Sequence, residues 1–133
     1  MKTYFVAAAV IRNPQGKILL LKKSMDDKIY PSKWSFCAGH VKEFEAAEDT
    51  VLREILEETG LHATIDAPAK ISEMVDLQKE RKWIVACFLC SVQTNGIKLC
   101  HENSEYRWVE LHEVKNFDMV PGSEKDLKVL GLL

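Results

Sequence analysis

Gly39-His40-Val41-Lys42-Glu43-Phe44-Glu45-Ala46-Ala47-Glu48-Asp49-Thr50-Val51-Leu52-Arg53-Glu54-Ile55-Leu56-Glu57-Glu58-Thr59-Gly60-Leu61 is the stretch that decides how this chain of 133 residues folds. From Phe44 or Glu45 to Thr59 it holds neither Gly nor Pro, and acids lead its first turn. Gly60 follows where a helix C-terminus favours a left-handed residue, so the stretch predicts a helix. At about 100° per residue, Glu54, Glu57 and Glu58 share one face, while Val51, Leu52, Ile55 and Leu56 occupy the adjoining side. Glu54 and Glu58 are an i, i+4 like-charge pair, which weakens the helix unless a cation compensates. Arg53 alone cannot neutralise three acids. The helix by itself reads as a solvated acidic face, and its flanks change that reading.

Upstream, Tyr4 to Ile11 reads as a strand, Arg12-Asn13-Pro14-Gln15-Gly16 as a turn and Lys17 to Lys23 as the second strand of a hairpin. Lys2 followed by this apolar run superficially resembles a signal peptide, but the run is short and enters a turn at once, which favours a strand. Ser24 to Lys33 is polar and contains Pro31, so it reads as a loop, with Trp34 to Cys37 a short strand ending at Ala38-Gly39. Downstream, His62 to Ile65, Ile71 to Leu77, Trp83 to Val92 and Tyr106 to Val109 read as strands. Gln78 to Arg81 and Asn95-Gly96 are turns. Leu111 to Lys115 reads as a helical turn, and Ser123 to Leu132 as a terminal helix capped by the serine, with Leu127 and Leu130 on one side. Strands on both sides of a central helix, with another helix at the end, predict an α/β or α+β fold in which a mixed sheet is covered on both faces. The length fits one domain spanning 1–133.

A formal net charge of -2 gives no global pull toward a nucleic acid polymer or anionic lipid, so a polyanionic ligand has to be held locally. No apolar run approaches the length of a membrane span. The four cysteines, Cys37, Cys87, Cys90 and Cys100, are not needed as staples at this size, which points to a reducing cytoplasm. Cys87 and Cys90 lie three apart on a predicted strand and so point to opposite faces, reading as buried thiols rather than a shared metal grip.

Six positions separate Gly39 from Glu45 and eight separate Glu45 from Arg53, after which Arg53-Glu54-Ile55-Leu56-Glu57-Glu58-Thr59-Gly60-Leu61 follows. This resembles the Nudix box, G, five residues, E, seven residues, R-E-U-x-E-E-x-G-U, at every defined position. The resemblance implies a MutT-like α/β/α sandwich whose loop-helix-loop carries divalent metal, with a C-terminal helix. It also implies hydrolysis of a nucleoside diphosphate linked to another group. Oxygen ligands at this density suit a hard cation, Mg2+ or Mn2+.

By likeness to the family, Glu57 and Glu58 are the principal metal ligands, with the Gly39 carbonyl, and Glu54 is a ligand or the base that activates water. Arg53 orients these carboxylates through its planar fork. Glu45 braces the loop against the helix, and Gly60 closes it. His101-Glu102-Asn103-Ser104-Glu105-Tyr106-Arg107-Trp108 looks like the family's E-H-x-E-Y-x-W loop, making Glu102 the first candidate for an acid outside the box and Glu105 the second. Asn103 stands where the family often has His. Phe36-Cys37-Ala38-Gly39-His40 replaces a common L-P-G-G approach, and Phe44 replaces a common Gly. His40 and Arg12 are candidate phosphate contacts, as are Lys22, Lys23 and Arg81. Trp34, Phe36, Tyr30 and Trp83 are candidates for stacking on a base, or core. The implied reaction is hydrolysis of a nucleoside triphosphate, perhaps a damaged one, to monophosphate and pyrophosphate. A nucleoside diphosphate sugar or dinucleoside polyphosphate is the rival substrate, and a non-catalytic nucleotide sensor the rival class. Pairing is common enough in the family to suggest a homodimer.

Overall fold

The computed structural model describes residues 2–133. Its centre is a strand that the sequence writes as an almost unbroken apolar run, β1 (Lys2–Arg12), in which Ala7 to Ile11 are all buried. Such continuity marks a strand covered on both faces. Along its whole length β1 pairs in parallel with β7 (Arg81–Ser91), from Lys2 opposite Arg81 to Arg12 opposite Ser91. On the far edge of β7 lie β5 (Thr64–Ile65) and β6 (Lys70–Asp76), both antiparallel. The expected strands there are present with slightly shifted ends.

The other edge of β1 departs from the hairpin expected. β2 (Ile18–Lys23) meets β1 only at Arg12 opposite Ile18, then runs between β3 (Trp34–Ser35) and β8 (Asn103–Val109). The gap left beside β1 is filled by β4 (Cys37–His40), with Val6 opposite His40 and Ala7 opposite Gly39. The single strand expected from Trp34 to Cys37 is therefore two short ones that change partner at Phe36. The result is one mixed sheet, in which the named strands pair antiparallel except for β1 with β7.

Alternation sorts the side chains into two cores. Ala7, Ala9, Cys37, Ala86, Phe88 and Cys90 face the helix α1 (Ala47–Thr59) and meet its Val51 and Ile55. On the opposite face, Val10, Leu20, Phe36 and Val109 pack against a 3-10 helix (Leu111–Asn116) and the helix α2 (Ser123–Val129). Ala8, Val85 and Cys87 continue that second face. Cys87 and Cys90 therefore lie on opposite faces as expected, and the cysteines are all free. No helix is long and apolar enough to cross a membrane among the described residues.

α1 begins later than the sequence suggests, since Ala46 is its N-cap and the preceding turn is closed by Glu45 N–H donating to Lys42 O at 3.0 Å. Phe44 occupies this turn at φ 65 with its ring fully exposed, which is why a helix cannot start there. Gly60 closes α1 in the left-handed region, its N–H donating to Leu56 O. Leu56 is 45% exposed rather than part of the apolar face. α2 is shorter than expected and its N-cap is Gly122, not Ser123, whose hydroxyl donates backwards to Val120 O at 2.8 Å.

A non-glycine left-handed residue costs about 1–2 kcal/mol, part of which glycine's greater unfolded-state entropy would take back. Phe44→Gly is therefore expected to raise stability by about 0.5–1 kcal/mol, read as a higher denaturant midpoint at unchanged slope. A lower midpoint would show that the exposed ring contributes more than its backbone costs.

Candidate active site

The acids of α1 split by depth. Val51 and Ile55 turn one side of the helix into the core, and Glu58, one turn beyond Ile55, follows them and is only 7% exposed. Glu57 points outward, with its side chain 56% exposed, and Glu54 lies between them at 14%. The face expected to carry all three carboxylates therefore grades from buried to open.

Arg53 holds the outer part together. Its Nε and Nη2 each donate to Glu45 at 2.9 Å, and Nη1 donates to Glu54 at 2.8 Å and to Glu57 at 3.3 Å. Glu45 also accepts from Thr50 Oγ1 at 2.7 Å and from the Lys42 N–H at 3.3 Å. It thus ties the turn before α1 to the first two helical turns. The Arg53 guanidinium, then the Thr50 hydroxyl, pull the Glu45 pKa down to about 2.

Glu54 also touches β4. A side chain on Gly39 would run into the Glu54 carboxylate, which fills the space it would need. Only glycine lets this strand and the acid approach so closely. Glu58 has partners the sequence did not reveal: Asn103 Nδ2 donates to its Oε1 at 3.3 Å, and Cys37 Sγ donates to its Oε2 at 3.5 Å. Burial raises the Glu58 pKa, the adjacent Glu54 raises it further, and Asn103 and Cys37 only partly offset this. The Cys37 thiol is pushed up by burial and by Glu58. Asn103, which departs from the family's frequent His, therefore serves as an amide donor to a box carboxylate.

Glu54, Glu57, Gly39 and His40 line a cavity of about 510 Å³, as does Glu102, the acid expected from outside the box. Lys23, Tyr30, Phe36 and Trp83 are also in its wall. Trp83 Nε1, beside the Tyr30 hydroxyl, is buried without an acceptor. Glu105 is elsewhere, ion-paired to Lys22 at 3.3 Å, and Arg12 is paired to Asp66 at 3.7 Å at the other end of β1. Arg81 donates to the Tyr4 hydroxyl, and Trp34 packs edge-on against Phe117 in the core. None of these four residues borders the cavity.

The donor set suits a hard divalent cation. Glu54 and Glu58 are neighbouring carboxylates with no arginine or lysine on Glu58, and a bound cation would relieve both its burial and their repulsion. Among the described residues no three His, Cys, Asp or Glu groups already converge on one point.

Two predictions follow from this geometry. Gly39→Ala should displace the Glu54 carboxylate and lower turnover about tenfold or more with the fold intact by circular dichroism, whereas full activity would show that Glu54 tolerates the shift. The Glu45–Arg53 pair stabilises the fold above the ordinary glutamate pKa of 4.5, and that contribution is lost as pH falls toward about 2. The melting temperature of Glu45→Gln should thus lie below wild type at neutral pH and converge with it across this window.

Residues 2–129 match the family described as NUDIX domain. The chain is 28% identical to the nucleoside triphosphatase NudI of Klebsiella pneumoniae (strain 342), with both chains covered in full. A MutT protein from Methanosarcina mazei Go1 superposes with a TM-score of 0.75 at 30% identity, covering 93% of this chain and 88% of that one. A MutT NUDIX hydrolase from Burkholderia pseudomallei, at 19% identity and a TM-score of 0.78 over 96% and 98% of the two chains, shares the fold. The α/β/α layering, the glycine-backed carboxylates and these matches together place the chain in the Nudix family, whose members are hydrolases of phosphoric anhydride bonds.

Proposed function

We propose that this protein hydrolyses a nucleoside triphosphate to the monophosphate and pyrophosphate, with Mg2+, or Mn2+ in its place, held by Glu54, Glu57, Glu58 and the Gly39 carbonyl. The observation that carries this reading is the graded carboxylate row of α1 opening on a cavity that also reaches Glu102. The likeness to relatives named nucleoside triphosphatase supports the choice of substrate. A bound divalent cation would supply charge neutralisation of the diphosphate and a lowered pKa for water.

The chain's own residues do the rest. Arg53 fixes the rotamers of Glu54 and Glu57 so that their oxygens need little reorganisation when ligand arrives. Glu54, pressed against Gly39 and close to Glu58, either completes the metal's ligand set or takes a proton from the attacking water. Glu58 would be a ligand oriented by Asn103 and Cys37, in the way that outer hydrogen bonds orient metal-binding groups. Glu102 adds negative charge to the cavity wall, and Lys23, Lys42 and His40 are cationic or polar groups there that phosphate oxygens would meet. The substrate is thus a nucleotide small enough for a single cleft.

Glu57→Gln keeps the helix but removes a ligand charge, and it should lower turnover about a hundredfold or more. Product analysis by mass with each common nucleoside triphosphate checks the reaction. Unchanged turnover in the variant, or release of inorganic phosphate without pyrophosphate, would overturn the assignment.

A further inference from the structure

The cavity has a second polar end far from the carboxylate row in sequence. Val6 and Ala8 of β1, Met74 of β6 and Trp83 and Val85 of β7 give it an apolar floor on the face of the sheet opposite α1. Val120 to Ser123 and Asp126 border it from the C-terminal segment. Asp126 lines the cavity at this end, and among the described residues no lysine or arginine side chain is bonded to it.

Its polar neighbours are few. Ser72 Oγ, fully buried on β6, lies beside the carboxylate without closing a full hydrogen bond, and the Cys87 thiol of β7 approaches it from below. Lys125 is next in sequence, but its ammonium donates to Glu73 O. Burial raises the Asp126 pKa to about 6, with Ser72, Cys87 and Lys125 drawing it back, so the group is mainly ionised at neutral pH. A half-buried carboxylate in an apolar cleft, with only the weak donors Ser72 and Cys87 beside it, gains from a ligand that brings further donors.

We propose that Asp126 is a specificity-determining residue that reads the edge of the nucleobase and selects a base presenting two adjacent N–H donors, as guanine does. The proposal rests on the nucleotide reading above: the diphosphate at Glu54 and Glu57 leaves the base to extend along the floor toward Asp126. A carboxylate's two oxygens match a ring N–H beside an exocyclic amino group in parallel. Cytosine and adenine place a ring acceptor next to their amino group, which an ionised carboxylate repels. Uracil and thymine flank their single N–H with carbonyl oxygens, which it also repels.

Steady-state hydrolysis of GTP, ITP, 1-methyl-GTP and CTP by wild type and Asp126→Asn tests this. ITP lacks the amino group and 1-methyl-GTP the ring N–H. Wild type should favour GTP in kcat/KM over each of the other three by about tenfold or more. In Asp126→Asn the GTP to ITP ratio should fall to near unity, while CTP gains relative to GTP because an amide offers the donor and acceptor that cytosine needs. A wild-type preference for CTP, or a GTP to ITP ratio that Asp126→Asn leaves unchanged, overturns the proposal while leaving the general hydrolysis reading intact. Absence of hydrolysis with all nucleotides would instead overturn both. The wild-type comparison needs no variant, so a folding defect in Asp126→Asn cannot mask the result.

Discussion

The contact on which this site depends is the fork of Arg53. Two of its nitrogens close on Glu45 before the helix and a third spans Glu54 and Glu57 within it, so one guanidinium joins loop, helix and cavity. Glu54 in turn fills the space left by the missing side chain of Gly39, and Gly39 sits on β4 opposite Ala7 of the central strand. The position of a potential ligand oxygen is thereby referred back to the sheet. A lysine's point charge could reach one of these acids but could not hold three in fixed directions.

That arrangement carries an electrostatic cost which the core has to support. Four box carboxylates face one guanidinium, and Glu58 takes none of its hydrogen bonds. Instead Glu58 is buried between Cys37 and Asn103, neutral donors that soften its desolvation without cancelling it. Val51 and Ile55, fully buried against Ala7, Cys37 and Phe88, anchor α1 despite the repulsion along its flank. A divalent cation bound as proposed would relieve this burial and repulsion together, so that the cost carried by the folded chain would turn into affinity for the ion.

Much of this was legible before the structure because it is local. The helix, its closing Gly60, the pairing of Arg53 with acids around it and the opposite faces of Cys87 and Cys90 all follow from spacing within a short segment. The break between β3 and β4 was not legible, since Trp34 to Cys37 reads as one short strand ending at Ala38-Gly39. What divides it is a change of partner, from β2 to β1, that only the sheet knows. The late start of α1 was hidden for a different reason: nothing in the letters around Phe44 announces a left-handed aromatic residue. Cys37 and Asn103 could be read as an odd approach and an odd loop, but their meeting at Glu58 is a long-range contact.

The same distinction separates the two ends of the cavity. Gly39, Glu54, Glu57 and Glu58 come from one continuous stretch, and their geometry is set by helical period and one arginine. Asp126, Ser72, Cys87 and the apolar floor come from α2, β6, β7 and β1, brought together only by the sheet and the packing of Leu127 beneath the terminal helix. A change at Asp126 leaves every contact of Arg53 in place, whereas a change at Gly39 or Glu45 disturbs the carboxylates directly. The Asp126 end can therefore vary in this architecture without disturbing the carboxylate row, because the two ends share a cavity but not a segment of chain.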